Sequence, residues 1–293
     1  MAMIETQRRA ARLERSCGAS ANEWMRSAPP IPGVERVEVF FSGGGFAPHR
    51  HDTYAIGVTM QGVQKFRYRG GAECSVPGQV FVLHPDELHD GRAGTEAGLR
   101  YGILYIDPRL IGSALEHGRR ALPFVRDVVS NDRRLAAAIR AALEDFDQPW
   151  EEMKRDQLLL DLAEALVACE GSPRRTTVAR PHLKAVAAAR ALLDACIDRE
   201  VSSTELENVT GLSRFELARH FRACLGTSPY RYLILRRLDR ARAMLRGGAS
   251  LAESALACGF SDQSHMTRHF KKAYGLPPGR WTALIRPASF TVA

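Results

Sequence analysis

The chain has 293 residues, 45% hydrophobic and 25% charged, ordinary for a globular protein and long enough for two domains. Lys and Arg total 41 against 33 Asp and Glu, a net charge of +8. No apolar run nears the roughly 20 residues that cross a bilayer. The start, MAMIETQRRAARLERS, lacks the apolar core of a secretory signal, so a cytoplasmic protein with no membrane partner is expected.

The charge is unevenly divided. Residues 1–181 hold 24 residues of each sign, and residues 182–293 hold the remaining 17 basic and 9 acidic ones. A basic domain joined to a neutral one implies that only the second meets a polyanion, unless the excess is a solubilising surface. Six scattered cysteines (Cys17, Cys74, Cys169, Cys196, Cys224, Cys258) form no CxxC pair and read as small buried hydrophobes.

In chain order, residues 1–28 read as a separate N-terminal segment. Residues 29–170 form the first domain. From Val34 to Ile106, short alternating runs such as VERVEVFF, TYAIGVTM, QKFRYRG and GQVFVLHP are broken by Gly and Pro turns. That pattern predicts an antiparallel β unit closed into a small barrel. From about Arg109 the pattern turns helical. RRLAAAIRAALEDF and KRDQLLLDLAEALVACE carry apolar residues at three- and four-residue spacing. Leu158, Leu162, Ala165, Leu166 and Cys169 share a face that either packs on the β unit or meets a dimer partner. GSPRRTTVARP, 171–181, is the linker candidate.

Residues 182–293 read as all helix. In STELENVTGLSRFELARHF a helix ends at Gly211, and a second starts at Ser213 with Glu216 completing a capping box. Leu206, Val209, Leu212, Leu217 and Phe221 supply the contacts that lock two helices across a turn. The grammar returns in SLAESALACGFSDQSHMTRHFKKAYG. There Leu251, Ala255 and Leu256 precede the Gly259 turn, Ser261 starts the second helix, and Phe260, Met266 and Phe270 face inward. Between the units, Ser228 caps and Pro229 opens a helix that ends at Gly247-Gly248. At 1.5 Å per residue it is roughly 27 Å long, enough to hold two reading helices near one duplex turn of about 34 Å.

LARHFRACLGTSPYRYLILRRLDRARAML followed by ALACGFSDQSHMTRHFKKAYGLPPGRW resembles the DNA-binding domain of the AraC/XylS family of transcriptional regulators, across about residues 182–286. The resemblance implies an α+β multidomain protein: an N-terminal cupin-like β-barrel with helices, then two helix-turn-helix units joined by a long helix. It implies that Arg214, Phe215, Ala218 and Arg219 face one major groove, and Gln263, Ser264, His265, Thr267 and Arg268 the next. Arg219 and Arg268 suit guanine and Gln263 suits adenine, although Arg268 could clamp a phosphate and His265 could be a packing residue. Arg236, Arg237 and Lys271 suit the phosphate backbone.

PHRHDTYAIGVTMQGVQKFRYRGG and VPGQVFVLHPDELHDGRAG resemble the sensor domain of the same family. His49, His51 and a later His84 or His89 echo the metal site of cupin enzymes. The carboxylate expected four or five residues after the second histidine is absent, since Ala55 and Ile56 stand there. No cofactor and no resident metal are therefore expected. His49, His51, Tyr54, Arg67, His84 and His89 are candidate polar walls of an effector pocket inside the barrel, or staples between strand ends. The expected whole is a non-enzymatic, ligand-responsive regulator, an activator by family expectation. Its partners would be promoter DNA, a small-molecule effector, RNA polymerase and a second copy of the chain.

Overall fold

Alternating side chains build two facing antiparallel sheets in the computed structural model, which describes residues 23–115, 122–170 and 182–285. The expected linker, 171–181, lies outside the described residues. The strands are β1 (Trp24–Ser27), β2 (Val34–Phe41), β3 (Gly45–His49), β4 (Tyr54–Gly62), β5 (Gln64–Tyr68), β6 (Gly71–Ser75), β7 (Val80–Leu83), β8 (His89–Ala93), β9 (Leu99–Ile106) and β10 (Val129–Ser130). Six form one sheet in the order β1-β2-β9-β4-β7-β10, and four form the other in the order β3-β8-β5-β6. The expected barrel is thus a pair of sheets that do not close into one hydrogen-bonded ring. The segment assigned to 1–28 is also corrected: Trp24–Ser27 pairs with β2, so the first domain begins before residue 29.

The larger sheet is buried on both faces, which explains the nearly unbroken apolar run in β4. Val37, Val39, Phe41, Ala55, Phe81, Tyr101 and Ile103 point between the sheets toward Phe66 and Tyr68 of β5. Tyr54, Ile56, Val58, Val80, Val82, Leu104 and Ile106 point the other way. They meet α1 (Pro108–Ala114), α2 (Arg133–Leu143) and α3 (Glu152–Ala168). A side chain at Gly57 would strike the Phe81 ring, so glycine lets the interior close there. Phe66, Phe81 and Tyr101 pack ring against ring between the sheets, with centroids 6.2 and 5.9 Å apart.

The second domain comprises α4 (Leu183–Ala195), α5 (Ser203–Thr210), α6 (Arg214–Leu225), α7 (Pro229–Arg246), α8 (Leu251–Ala257), α9 (Gln263–Tyr274) and α10 (Pro278–Leu284). Ser202, Ser213 and Ser250 each close a capping box with a glutamate three residues on. The connecting helix α7 starts at Pro229, as expected, and buries Ile234, Leu238, Ala241 and Leu245. Its apolar face joins the inter-sheet core, so the two domains share one hydrophobic cluster.

The helical layer on the outer sheet face should carry much of the first domain's stability. Leu162 of α3 is fully buried, and Leu162→Ala should cost about 2–5 kcal/mol in urea unfolding. Glu164→Ala, two residues away and exposed, should leave the midpoint nearly unchanged. Equal effects would mean that α3 packs by another face.

Candidate nucleic-acid interface and effector cavity

The two recognition helices, α6 and α9, are related by a shift of 49 residues. Ser213-Arg-Phe-Glu-Leu-Ala-Arg-His-Phe221 lies over Asp262-Gln-Ser-His-Met-Thr-Arg-His-Phe270, and the correspondence runs on to the glycine caps Gly226 and Gly275. The second helix is capped by Asp262, which accepts from the His265 N–H at 2.7 Å, rather than by the expected Ser261. The second turn therefore has one extra residue. In this register the inward positions are Leu217 with Met266 and Phe221 with Phe270, all buried. The expected readers fall into matched pairs: Arg214 with Gln263, Phe215 with Ser264, Ala218 with Thr267, Arg219 with Arg268. Arg214, Phe215, Arg219, Gln263, Ser264, Arg268 and Lys271 are exposed, while Ala218 and Thr267 are half-buried. Phe215 is 73% exposed, a ring held in water at the start of a helix. The Arg214 guanidinium is aimed by Glu207, whose Oε1 accepts from its Nε at 3.0 Å.

Other expected positions change. Arg237 is 5% exposed and donates to the Ile197 and Arg199 carbonyls, both at 2.7 Å, closing the chain that follows α4. It is therefore a structural arginine, not a phosphate contact. Arg236 faces the first domain and pairs with Asp52 at 3.0 Å. His265 sits where Glu216 closes the first capping box, with Nδ1 at 3.0 Å from Ser261 Oγ and Nε2 at 3.0 Å from His269 Nε2. Leu256, expected in the core, is 66% exposed, and Val209 is also exposed, because these short helices bury only one side.

The first domain grips both recognition helices at the same structural place, their C-terminal caps. Gly226 abuts Pro85, and Gly275 abuts Phe46, Ala47 and His49. The Ala47 N–H donates to the Gly275 carbonyl and the Arg50 N–H to the Lys272 carbonyl, both at 3.0 Å. Around these contacts, acids of the first domain meet arginines of the second. Asp86 pairs with Arg231 at 2.8 Å, Asp52 with Arg236, Glu23 with Arg280 at 3.0 Å, and Glu35 with both Arg242 and Arg246.

A cavity of about 1090 Å³ lies at this junction. Val37, Val39 and Tyr105 wall it on the sheet side, and Leu235, Leu245 and Trp281 on the helical side. Three arginines (Arg236, Arg242 and Arg246) and five acids (Glu35, Asp52, Asp107, Asp147 and Asp239) supply its charge. Leu225 and Tyr274, equivalent residues in the last turns of α6 and α9, both reach it. Of the six expected effector residues, His49 and His51 line this space and His89 packs directly behind them, with ring centroids 4.2 and 4.7 Å away. The other three do not. Strand parity turns Tyr54 to the outer face, where its hydroxyl donates to the Pro123 carbonyl at 2.7 Å. His84 lies there too, held by the Tyr68 hydroxyl at 2.9 Å and the Val125 N–H at 3.0 Å. Arg67 alternates with buried Phe66 and Tyr68 and points into solvent.

His49, His51 and His89 each place Nδ1 on a backbone carbonyl, at 2.8–2.9 Å, which leaves Nε2 as the free nitrogen. Among the described residues, no three metal-ligating side chains are set to hold an ion. Burial, then the neighbouring imidazoles, hold His49 and His51 well below the ordinary histidine value. Burial lowers His89 to about 4, and burial with Arg69 lowers His84 to about 3.

These groups stay neutral in the folded chain while the unfolded chain takes up protons below about pH 6.5. Stability should therefore be full above that pH and fall below it, with the His89 share lost between about 6.5 and 4. A urea midpoint unchanged between pH 7.5 and pH 5 would contradict this. Gly275→Ala tests the docking itself, since its Cβ would sit 2.9 Å from the Ala47 carbonyl oxygen at a φ of +71°. The Ala47 and Arg50 amides should exchange with solvent about tenfold faster or more. Gly211→Ala has the same backbone conformation with nothing near it and should leave both amides unchanged.

Residues 31–163 match the AraC-like ligand binding domain, and residues 206–283 match a helix-turn-helix domain. The HTH-type transcriptional regulator YbfI of Bacillus subtilis is 25% identical over 223 residues, 75% of this chain and 81% of that one. GbdR of Pseudomonas aeruginosa is 35% identical over 89 residues, which are 30% of this chain and 24% of its own length. ToxT from Vibrio cholerae has a similar fold, with a TM-score of 0.63 at 12% identity, covering 86% of this chain and 98% of ToxT. A ToxT structure with an unsaturated fatty acid bound gives 0.61 at 13% identity, over 90% and 94% of the two chains. No helix among the described residues is long and apolar enough to cross a membrane. With a ligand-binding domain joined to paired helix-turn-helix units, this chain belongs to the AraC/XylS family of DNA-binding transcriptional regulators.

Proposed function

We propose that the effector of this regulator binds in the cavity between the domains and acts by changing how the sensor holds the two recognition helices. One observation carries the proposal: the cavity reaches the last turn of both helices, at Leu225 and Tyr274, while their reading ends remain free. A ligand there has differential contact with two arrangements of the domains, which a population shift requires. The effector class is an organic acid with an apolar body. Guanidinium groups and an apolar wall line the same cavity, and both ligands named in the ToxT structures, an unsaturated fatty acid and a naphthalenyl butenoic acid, have that character.

On the DNA side, Arg219 and Arg268 read guanine, Gln263 reads adenine, and Phe215 packs on a thymine methyl. Arg214, Ser264 and Thr267 complete the two faces, His265 and Ala218 support them, and Lys271 meets phosphate. Arg236 and Arg237 leave the interface because the sensor and the α4 connection occupy them. The protein acts in the cytoplasm as an activator rather than an enzyme, through RNA polymerase. It pairs through α3, where Met153 and Leu160 are exposed on a helix otherwise packed on the sheet.

Arg219→Ala and Arg268→Ala should each weaken promoter binding by about 1–3 kcal/mol and relax preference at one position, one in each half of the site. A uniform loss across sequences would assign that arginine to phosphate. For the effector, a panel of apolar carboxylic acids screened by thermal shift should yield ligands that also change promoter affinity. If acids that raise the melting temperature leave promoter affinity unchanged, the cavity is not the control site.

A further inference from the structure

We propose that Glu35 is a tethered occupant of the effector's carboxylate site, so that an apolar monocarboxylate binds by taking its place on Arg242 and Arg246. This rests on the cavity being the effector site. Glu35 stands on β2, at the cavity edge. Arg242 engages it with both terminal nitrogens, Nη1 to Oε2 at 3.0 Å and Nη2 to Oε1, and Arg246 Nη2 adds a contact to Oε1 at 3.2 Å.

The receptor side chains of this contact belong to the DNA-binding domain, and Arg246 Nη2 also donates to Ser27 Oγ of the first domain at 3.2 Å. The Arg242 guanidinium lies over the rings of Tyr274 and Trp281, 4.8 and 5.0 Å from their centroids, and Arg246 lies over Trp281 at 5.2 Å. Asp239 fixes the other side, accepting from the Tyr274 hydroxyl at 2.9 Å. Such a fork takes one carboxylate at a time in bidentate fashion. Val37 and Leu245 stand beside it as a wall for an apolar body. The Glu35 side chain is 30% exposed, so once displaced it can turn to water. Exchange of a sensor carboxylate for a free one cuts the tie between β2 and α7. The ligand therefore loosens the sensor.

Oleate binding to the full chain tests this, with methyl oleate as the uncharged probe. Glu35→Gln should bind oleate about tenfold tighter than the wild type, and Arg246→Gln should bind it more weakly. Exposed Arg240→Gln should match the wild type, and methyl oleate should not distinguish wild type from Glu35→Gln. In the wild type, saturating oleate should speed exchange of the Ala47 and Arg50 amides, a readout that needs no variant. Equal oleate affinity in wild type and Glu35→Gln, or unchanged amide exchange, overturns the Glu35 proposal and leaves the cavity as the effector site. No oleate binding to either protein overturns both.

Discussion

The structure depends on a row of acid–arginine pairs across the domain boundary. Burial alone would raise the Glu35 carboxyl, yet Arg242 and then Arg246 outweigh it and hold the group below its ordinary value. Desolvated pairs of this kind contribute little net stability against an apolar replacement, but each is costly to break from one side. Arg236 touches both Asp52 and Asp239, and Asp239 in turn touches Tyr274 and Arg242, so the pairs are not independent. A boundary built this way favours two states, docked or parted, over a graded series.

That boundary also revises what the charge division means. The excess of eight positive charges after residue 181 reads naturally as a footprint for DNA. Five of those arginines (Arg231, Arg236, Arg242, Arg246 and Arg280) instead end on sensor acids. Composition reports that an arginine seeks an anion, but a carboxylate and a phosphate are alike to it at that level.

Local rules carried most of the fold. Caps, turns and the connecting helix were legible because they are set by residues a few positions apart. The histidines group by their resemblance to the cupin motif, whereas strand parity sends His84 and Tyr54 to one face and the bend before β4 leaves His49 and His51 at the cavity. Arg67 could have been excluded from the alternation of QKFRY alone. The 49-residue correspondence of the recognition helices was also present in the sequence, in the paired Arg-His-Phe triplets, and it would have placed the second cap at Asp262. The cavity was not legible, since it is made by residues brought together from both domains.

The placement of the grip explains why it suits control of DNA reading. With Phe215 and Gln263 reading bases as proposed, a contact over either would block the duplex outright. The contacts at Gly226 and Gly275 lie instead at the far ends of α6 and α9. Each helix has 12 residues and is therefore roughly 18 Å long. A tilt of about 10° at the capped end moves the reading end by roughly 3 Å, the full length of a hydrogen bond. On the proposed reading, two heads that enter successive grooves together cannot absorb such an error in one of them without losing the other's register. A small change in how the sensor seats on two glycines is thus sufficient to decide between a matched and a mismatched pair of reading heads.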